Sequence, residues 1–162
     1  MTAPAVTAAR FADLDPATLY AILRLRVDVF VVEQKCPYPE LDGRDLEDGA
    51  FHLWIGDEDG VAAYLRILEE PDAAIRIGRV AVASQARGTG LAGRLMLEAI
   101  DRVGDRACVL DAQTYLVEFY ARFGFVVTGE EFLEDGIPHV PMRREPQGSV
   151  DTISSSGARR PV

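Results

Sequence analysis

The sequence predicts an α/β (α+β) fold: one domain with a mixed central sheet of six to seven strands and about four flanking helices. Two observations carry this. Apolar runs of strand length between residues 51 and 82 are punctuated by Gly, Pro and Asp, and from residue 91 the apolar spacing changes to that of a helix. The resulting order, β-α-loop-β-β-β-α-β-α-β-β, sets an antiparallel first half beside a parallel step. A length of 162 residues suits a single domain. Its expected bounds are residues 1–144, with 145–162 a tail of Ser, Gly and Pro that has almost no core formers.

Residues 5–11 read as a first strand. Asp15-Pro16 then supplies an N-cap and a proline at the first helical position. Leu19, Ile22, Leu23, Val27 and Phe30 follow at helical spacing, so a helix is expected over 16–31. Pro, Gly and Asp crowd residues 36–49, which predicts a long loop or one with a short helical turn. Strands are expected at Phe51–Gly56, Val61–Leu68 and Ala74–Val82, the first two joined by a turn at Asp59-Gly60. Ala92, Leu95, Met96, Ala99, Ile100 and Val103 line one face of an amphipathic helix. A short buried strand over Ala107–Leu110 comes next. Leu116, Phe119, Tyr120 and Phe123 mark a further helix that Gly124 ends. Strands at Phe125–Thr128 and Ile137–Arg143 are expected to pair around the Glu134-Asp135-Gly136 turn.

The formal net charge is −9. Nucleic acid and anionic membrane are disfavoured as partners, because both demand clustered cations. Residues 33–72 hold 12 acids against 3 bases, while residues 73–110 carry 6 arginines against 3 acids. Cys36 and Cys108 stand alone, so neither a disulfide framework nor a metal site is expected. The start of the chain has no basic region followed by an apolar run, and no apolar stretch approaches the ~20 residues that span a bilayer. A cytoplasmic location is the expectation.

The sharpest local feature is a strand, Val80-Ala81-Val82, running into Arg87-Gly88-Thr89-Gly90 and then into the helix that opens with Leu91-Ala92-Gly93. Gly88 and Gly90 let the backbone turn tightly and bring its N–H groups close to a ligand. The unpaired N–H groups of a helix start, at the positive end of its dipole, suit a phosphate. A tight turn with no ligand satisfies the same residues.

Arg87-Gly-Thr-Gly-Leu-Ala92 fits the [RQ]-x-x-G-x-[GA] box of the GNAT family of N-acetyltransferases, and the element order resembles that fold over residues 5–144. Phe119-Tyr120-Ala-Arg-Phe-Gly-Phe125 resembles the family's Y-x-x-x-G-F segment. The run from Phe30 through Glu33, Gln34, Cys36, Pro37 and Tyr38 to Leu41-Asp42-Gly43 is similar to the ElaA-type branch, as are Ala112-Gln113 and Asp135-Gly-Ile-Pro-His139. The resemblance implies acetyl-CoA as acyl donor and a small-molecule or peptide amine as acceptor. It places the pantetheine arm along Val80, Ala81 and Val82, and the pyrophosphate on Arg87, Gly88, Thr89, Gly90, Leu91, Ala92 and Gly93, with Arg87 or Arg94 adding charge.

It also implies that Tyr120 protonates the departing thiolate, although the same tyrosine lies on an apolar stripe and suits a core role. Related enzymes often pair as homodimers. The family's strand glutamate is missing, its region holding Arg76 and Arg79, so the general base stays open among Glu33, His52 and His139. Glu33, at the end of the first helix, is the catalytic candidate carried forward, and a salt bridge is its alternative role. Cys36 leaves a covalent route barely open. Arg26, Phe30, Asp42, Asp45 and Arg66 also resemble a set in acyl-homoserine-lactone synthases, where ordering of the first loop by Arg26 outweighs a shared substrate. A catalytically silent CoA sensor is the third reading. The acidic block beside the acceptor side favours a cationic amine.

Overall fold

A computed structural model describes residues 4–57 and 60–146. The strands are β1 (Val6–Ala9), β2 (Phe51–Asp57), β3 (Gly60–Glu69), β4 (Ile75–Val82), β5 (Cys108–Gln113), β6 (Val126–Val127), β7 (Phe132–Glu134) and β8 (Ile137–Arg144). They form one mixed sheet in the order β1-β2-β3-β4-β5-β8-β6, with β7 also paired to β8. The α-helices are α1 (Pro16–Val27), α2 (Leu91–Val103) and α3 (Val117–Ala121).

Among the described residues the sheet therefore has eight strands, against the six to seven expected. Residues 126–127 and 132–134 pair in turn with successive stretches of β8, so its outer edge is built from two short pieces. The hairpin arm opposite Ile137 is β7, a segment with no clear sequence signal. The β2–β3 hairpin forms as expected, although Asp59 lies outside the described residues. Most of the expected tail, from residue 147 onward, also lies outside them.

Helix α1 begins as its sequence dictates. Asp15 accepts from the Thr18 backbone N–H at 2.9 Å, and Pro16 takes the first turn. The helix does not run evenly to residue 31. It loosens after Val27 into a π-helical turn over Asp28–Glu33. Helix α2 buries Leu95, Met96, Ala99 and Val103, the stripe marked by its spacing. At about 1.5–3 kcal/mol for each large apolar side chain, this burial outweighs the cost of the three-glycine entry.

The sheet is covered on both faces. One face, bearing Leu65, Leu110, Ala112 and Met142, packs on α2 and on Tyr120 of α3. The other carries Tyr64 and Ala81 against Ile22 and Leu25 of α1. Because side chains alternate along a strand, Asp111, Gln113 and His139 face the α1 side of the sheet, opposite to Leu110 and Ala112.

Candidate active site

Two irregularities in β4 make the cleft. Strands β4 and β5 are parallel and pair only at Ile75–Cys108 and Arg76–Val109, although both continue to Val82 and Gln113. Beyond Arg76 the β5-facing backbone of Gly78–Val82 has no strand partner among the described residues. On the other side of β4 the register with β3 slips between Tyr64 and Arg66, so that Leu65 faces both Arg79 and Val80. Arg79 sits in the bulge at φ +54, a left-handed conformation that costs a non-glycine residue about 1–3 kcal/mol. Ion pairs hold it there. Its Nε lies 2.9 Å from Glu40, and Nη2 lies 3.3 Å from the Glu40 carbonyl and 3.5 Å from Asp42.

The split opens into a cleft of about 940 Å³. Its walls include Val80, Ala81, Val82, Arg87, Ala92, Gln113, Tyr120, His139 and the end of the π-helical turn. At one end stands the glycine turn, with Gly88 at φ +77 and Gly90 at φ +81. Arg94 N–H makes the first intrahelical bond, to the Gly90 carbonyl at 3.2 Å, which leaves the N–H groups of Leu91, Ala92 and Gly93 without helical acceptors. Thr89 Oγ1 donates to the Ala86 carbonyl at 2.5 Å and fixes the turn. Arg94, by contrast, reaches away and donates to the Pro4 carbonyl.

Tyr120 lies in the cleft wall, 6% exposed, and its side chain makes no hydrogen bond among the described residues. Burial raises its pKa, so the phenol stays protonated at neutral pH. Glu33 and Arg87 face each other in a bidentate pair at 2.6 and 2.5 Å, and Arg87 Nε also donates to the Val82 carbonyl at 3.2 Å. The guanidinium holds the Glu33 carboxyl below the usual carboxylate range. That makes it a good charge partner and a weak proton acceptor.

His52 does not line this cleft. It is buried, with Nδ1 2.7 Å from the Tyr64 hydroxyl and Nε2 3.2 Å from the Asp45 carbonyl. Burial lowers its pKa, and the neutral ring satisfies both contacts by donating from Nε2 and accepting at Nδ1. His52 is thereby removed from the candidate bases. His139 does line the cleft, with Nδ1 donating to the Ile137 carbonyl at 2.7 Å.

Three carboxylates of the acidic block, Glu40, Asp42 and Asp45, are engaged in a largely buried ionic network. Arg26, fully buried, bonds Glu40 at 2.8 Å and Asp45 at 2.7 Å, while Arg66 bonds Asp42 at 2.8 and 2.9 Å and Asp45 at 3.1 Å. Tyr38 donates its hydroxyl to Glu40. These contacts bind the 36–49 loop to α1, β3 and β4, the ordering role expected of Arg26. Glu134 and Asp135, on the opposite wall, have no arginine partner among the described residues. Sequence reasoning did not assign Arg79 to the site. A strand arginine at positive φ carries no local signal, since the partners that hold it lie 37 and 39 residues away.

A family model described as an acetyltransferase (GNAT) domain matches residues 26–146. A UPF0039 protein of Mycobacterium tuberculosis is 52% identical over 143 residues, covering 86% of this chain and 92% of that protein. Among solved structures, an acyl-CoA N-acyltransferase from Pseudomonas aeruginosa superposes with a TM-score of 0.82 at 45% identity, covering 88% of this chain and 99% of the other. Escherichia coli ElaA gives the same TM-score and the same coverages at 38% identity.

Proposed function

The chain belongs to the GNAT acetyltransferase family, and on that premise we propose that it moves an acetyl group from acetyl-CoA to a primary amine by direct attack in a ternary complex. The observation that carries this reading is the split between β4 and β5, which opens beside the free N–H groups of α2 and has Tyr120 in its wall. The residues present fit CoA. Backbone groups of Val80, Ala81 and Val82 offer an edge for the amide-bearing pantetheine arm. Gly88, Thr89 and Gly90, with the N–H groups of Leu91, Ala92 and Gly93, offer a cradle for the pyrophosphate.

When bound, acetyl-CoA supplies a thioester carbonyl open to attack and a thiolate as leaving group. Tyr120, kept as a phenol by burial, gives that thiolate its proton. A backbone N–H of the unpaired β4 edge polarises the carbonyl. Arg87 adds a charge-assisted contact to the phosphates once it leaves Glu33, so Glu33 competes with the phosphates for Arg87. The acceptor is a cationic amine, a reading supported by Glu134 and Asp135, carboxylates of the cleft wall with no arginine partner among the described residues.

The test combines acetyl-CoA binding by calorimetry with a thiol-release screen of amine classes. Tyr120→Phe is expected to keep acetyl-CoA affinity and lose about 10²-fold or more in kcat. Failure of the wild-type protein to bind acetyl-CoA would end the reading.

A further inference from the structure

The proposed reaction needs a group that takes a proton from the acceptor, and we propose that this group is His139, acting through Nε2. The inference rests on the acyl-transfer reading and names a catalytic residue within it.

Geometry distinguishes His139 from the other candidates. Its Nδ1 lies 2.7 Å from the Ile137 carbonyl, an oxygen that can only accept, so Nδ1 must carry hydrogen. In the neutral ring that leaves the lone pair on Nε2. The ring is held in place by stacking on Phe132, with centroids 5.9 Å apart and planes 24° from parallel. A tautomer fixed by the backbone and a ring fixed by an aromatic neighbour are what a general base requires before its substrate arrives.

Position completes the argument. His139 pairs with Gln113, at the end of β5, where the split from β4 is open. It faces the α1 side of the sheet, whereas Tyr120 enters the same cleft from the α2 and α3 side. An ammonium acceptor must lose a proton before its nitrogen can attack, and the departing sulfur must gain one. A base and an acid approaching from opposite faces of the split can serve the two separately.

The surrounding charges suit an ammonium at that point. Glu134 Oε2 is 3.7 Å from Nε2. Asp135 lines the same wall, and its carbonyl accepts from Cys36 Sγ at 3.3 Å. The cleft's other carboxylates are engaged: Glu33 with Arg87, Asp111 with Arg76, and Asp42 with Arg66 and Arg79. Gln113 and Phe132, the residues paired with His139 on β5 and β7, are uncharged.

The proton balance is complete. His139 Nε2 takes the first proton from the ammonium and later releases it to solvent. The freed lone pair forms the N–C bond as the C–S bond breaks, and Tyr120 protonates the sulfur. The nitrogen's second proton restores the Tyr120 phenol. The products are an amide, a free thiol and one proton in solution.

The test measures acetyl-CoA-dependent thiol release at pH 6–9.5 with spermidine, glucosamine, lysine and a tripeptide as probe amines. Acetyl-CoA affinity is measured alongside by calorimetry. The first variant is His139→Asn, whose side-chain nitrogen can occupy the place of Nδ1 and keep the Ile137 bond. The expected result is a kcat loss of about 10²-fold. The acidic limb of the wild-type kcat/KM profile should disappear, and acetyl-CoA affinity should be unchanged. The second variant, His139→Ala, is expected to regain turnover on addition of imidazole.

A His139→Asn enzyme with wild-type kcat and an unaltered acidic limb would overturn the assignment while leaving the acyl-transfer reading intact. Uniform loss at every pH, with no imidazole rescue, would make His139 structural and overturn it as well. A wild-type protein that binds no acetyl-CoA, or turns over none of the probes, would overturn both.

Discussion

Replacing Arg26 by Met probes what holds the acceptor side of the cleft together. Met keeps an apolar stem in place of the arginine's and removes the guanidinium. Arg26 is fully buried and bonds Glu40 and Asp45, which are 4% and 8% exposed. Removing one partner from a buried ion pair costs about 3–5 kcal/mol, because the charge left behind is poorly solvated. Here Glu40 retains Arg79 and Tyr38, and Asp45 retains Arg66, so the loss falls at the low end, about 3 kcal/mol. For a domain of this size that lowers Tm by roughly 6–12 °C.

Acid should narrow the difference. The arginines beside Asp45 hold its pKa below the ordinary carboxylate value. A depressed folded pKa stabilises the protein above the unfolded value, and that contribution is lost as pH falls through the folded one. Arg26→Met removes part of the depression, so the two proteins should converge as pH falls below about 4. Calorimetric melts at pH 7, 4 and 3 measure this. A Tm change under about 2 °C at pH 7, or a gap that does not shrink in acid, would refute the network's structural role.

Three further outcomes follow from the geometry. Gly90→Ala meets no atom within 4 Å, so its cost is the left-handed backbone at φ +81, about 1–2 kcal/mol, and acetyl-CoA affinity should fall about tenfold as the turn shifts. Calorimetry reads the affinity, and unchanged binding would contradict the cradle. Glu33→Gln breaks an exposed pair worth at most about 1 kcal/mol, so kcat should hold and the KM for acetyl-CoA should fall as Arg87 is freed. A kcat loss of about 10²-fold or more would instead make Glu33 the base. Burial pushes the Cys108 thiol up to about 12, so a thiol reagent at pH 8 should label only Cys36 in the native protein and both cysteines after denaturation.

Legibility in the sequence followed the range of the interactions. Helix α2 was plain because its buried residues recur at a local period and its entry is set by glycines. Tyr120 was marked by its motif. The π-helical end of α1 was hidden, since Val27 and Phe30 fit a regular helix equally well. The bulge at Arg79 depends on Glu40 and Asp42, partners that no local window contains. The partners of the acidic block were hidden for the same reason. Glu40, Asp42 and Asp45 are matched by Arg26 of α1 and by Arg66 and Arg79 of the sheet, which reach the loop only in the folded protein. Glu134 and Asp135, well outside that block, line the cleft with no arginine partner among the described residues.

The central claim is acyl transfer with Tyr120 as the proton donor in a cleft built for CoA. Its most direct test is acetyl-CoA binding and amine-dependent thiol release, measured side by side for the wild-type protein and Tyr120→Phe. Acetyl-CoA affinity should be equal for the two, with turnover in the wild type and a loss of about 10²-fold or more in the variant. Equal turnover in both, or no acetyl-CoA binding by either, would contradict it.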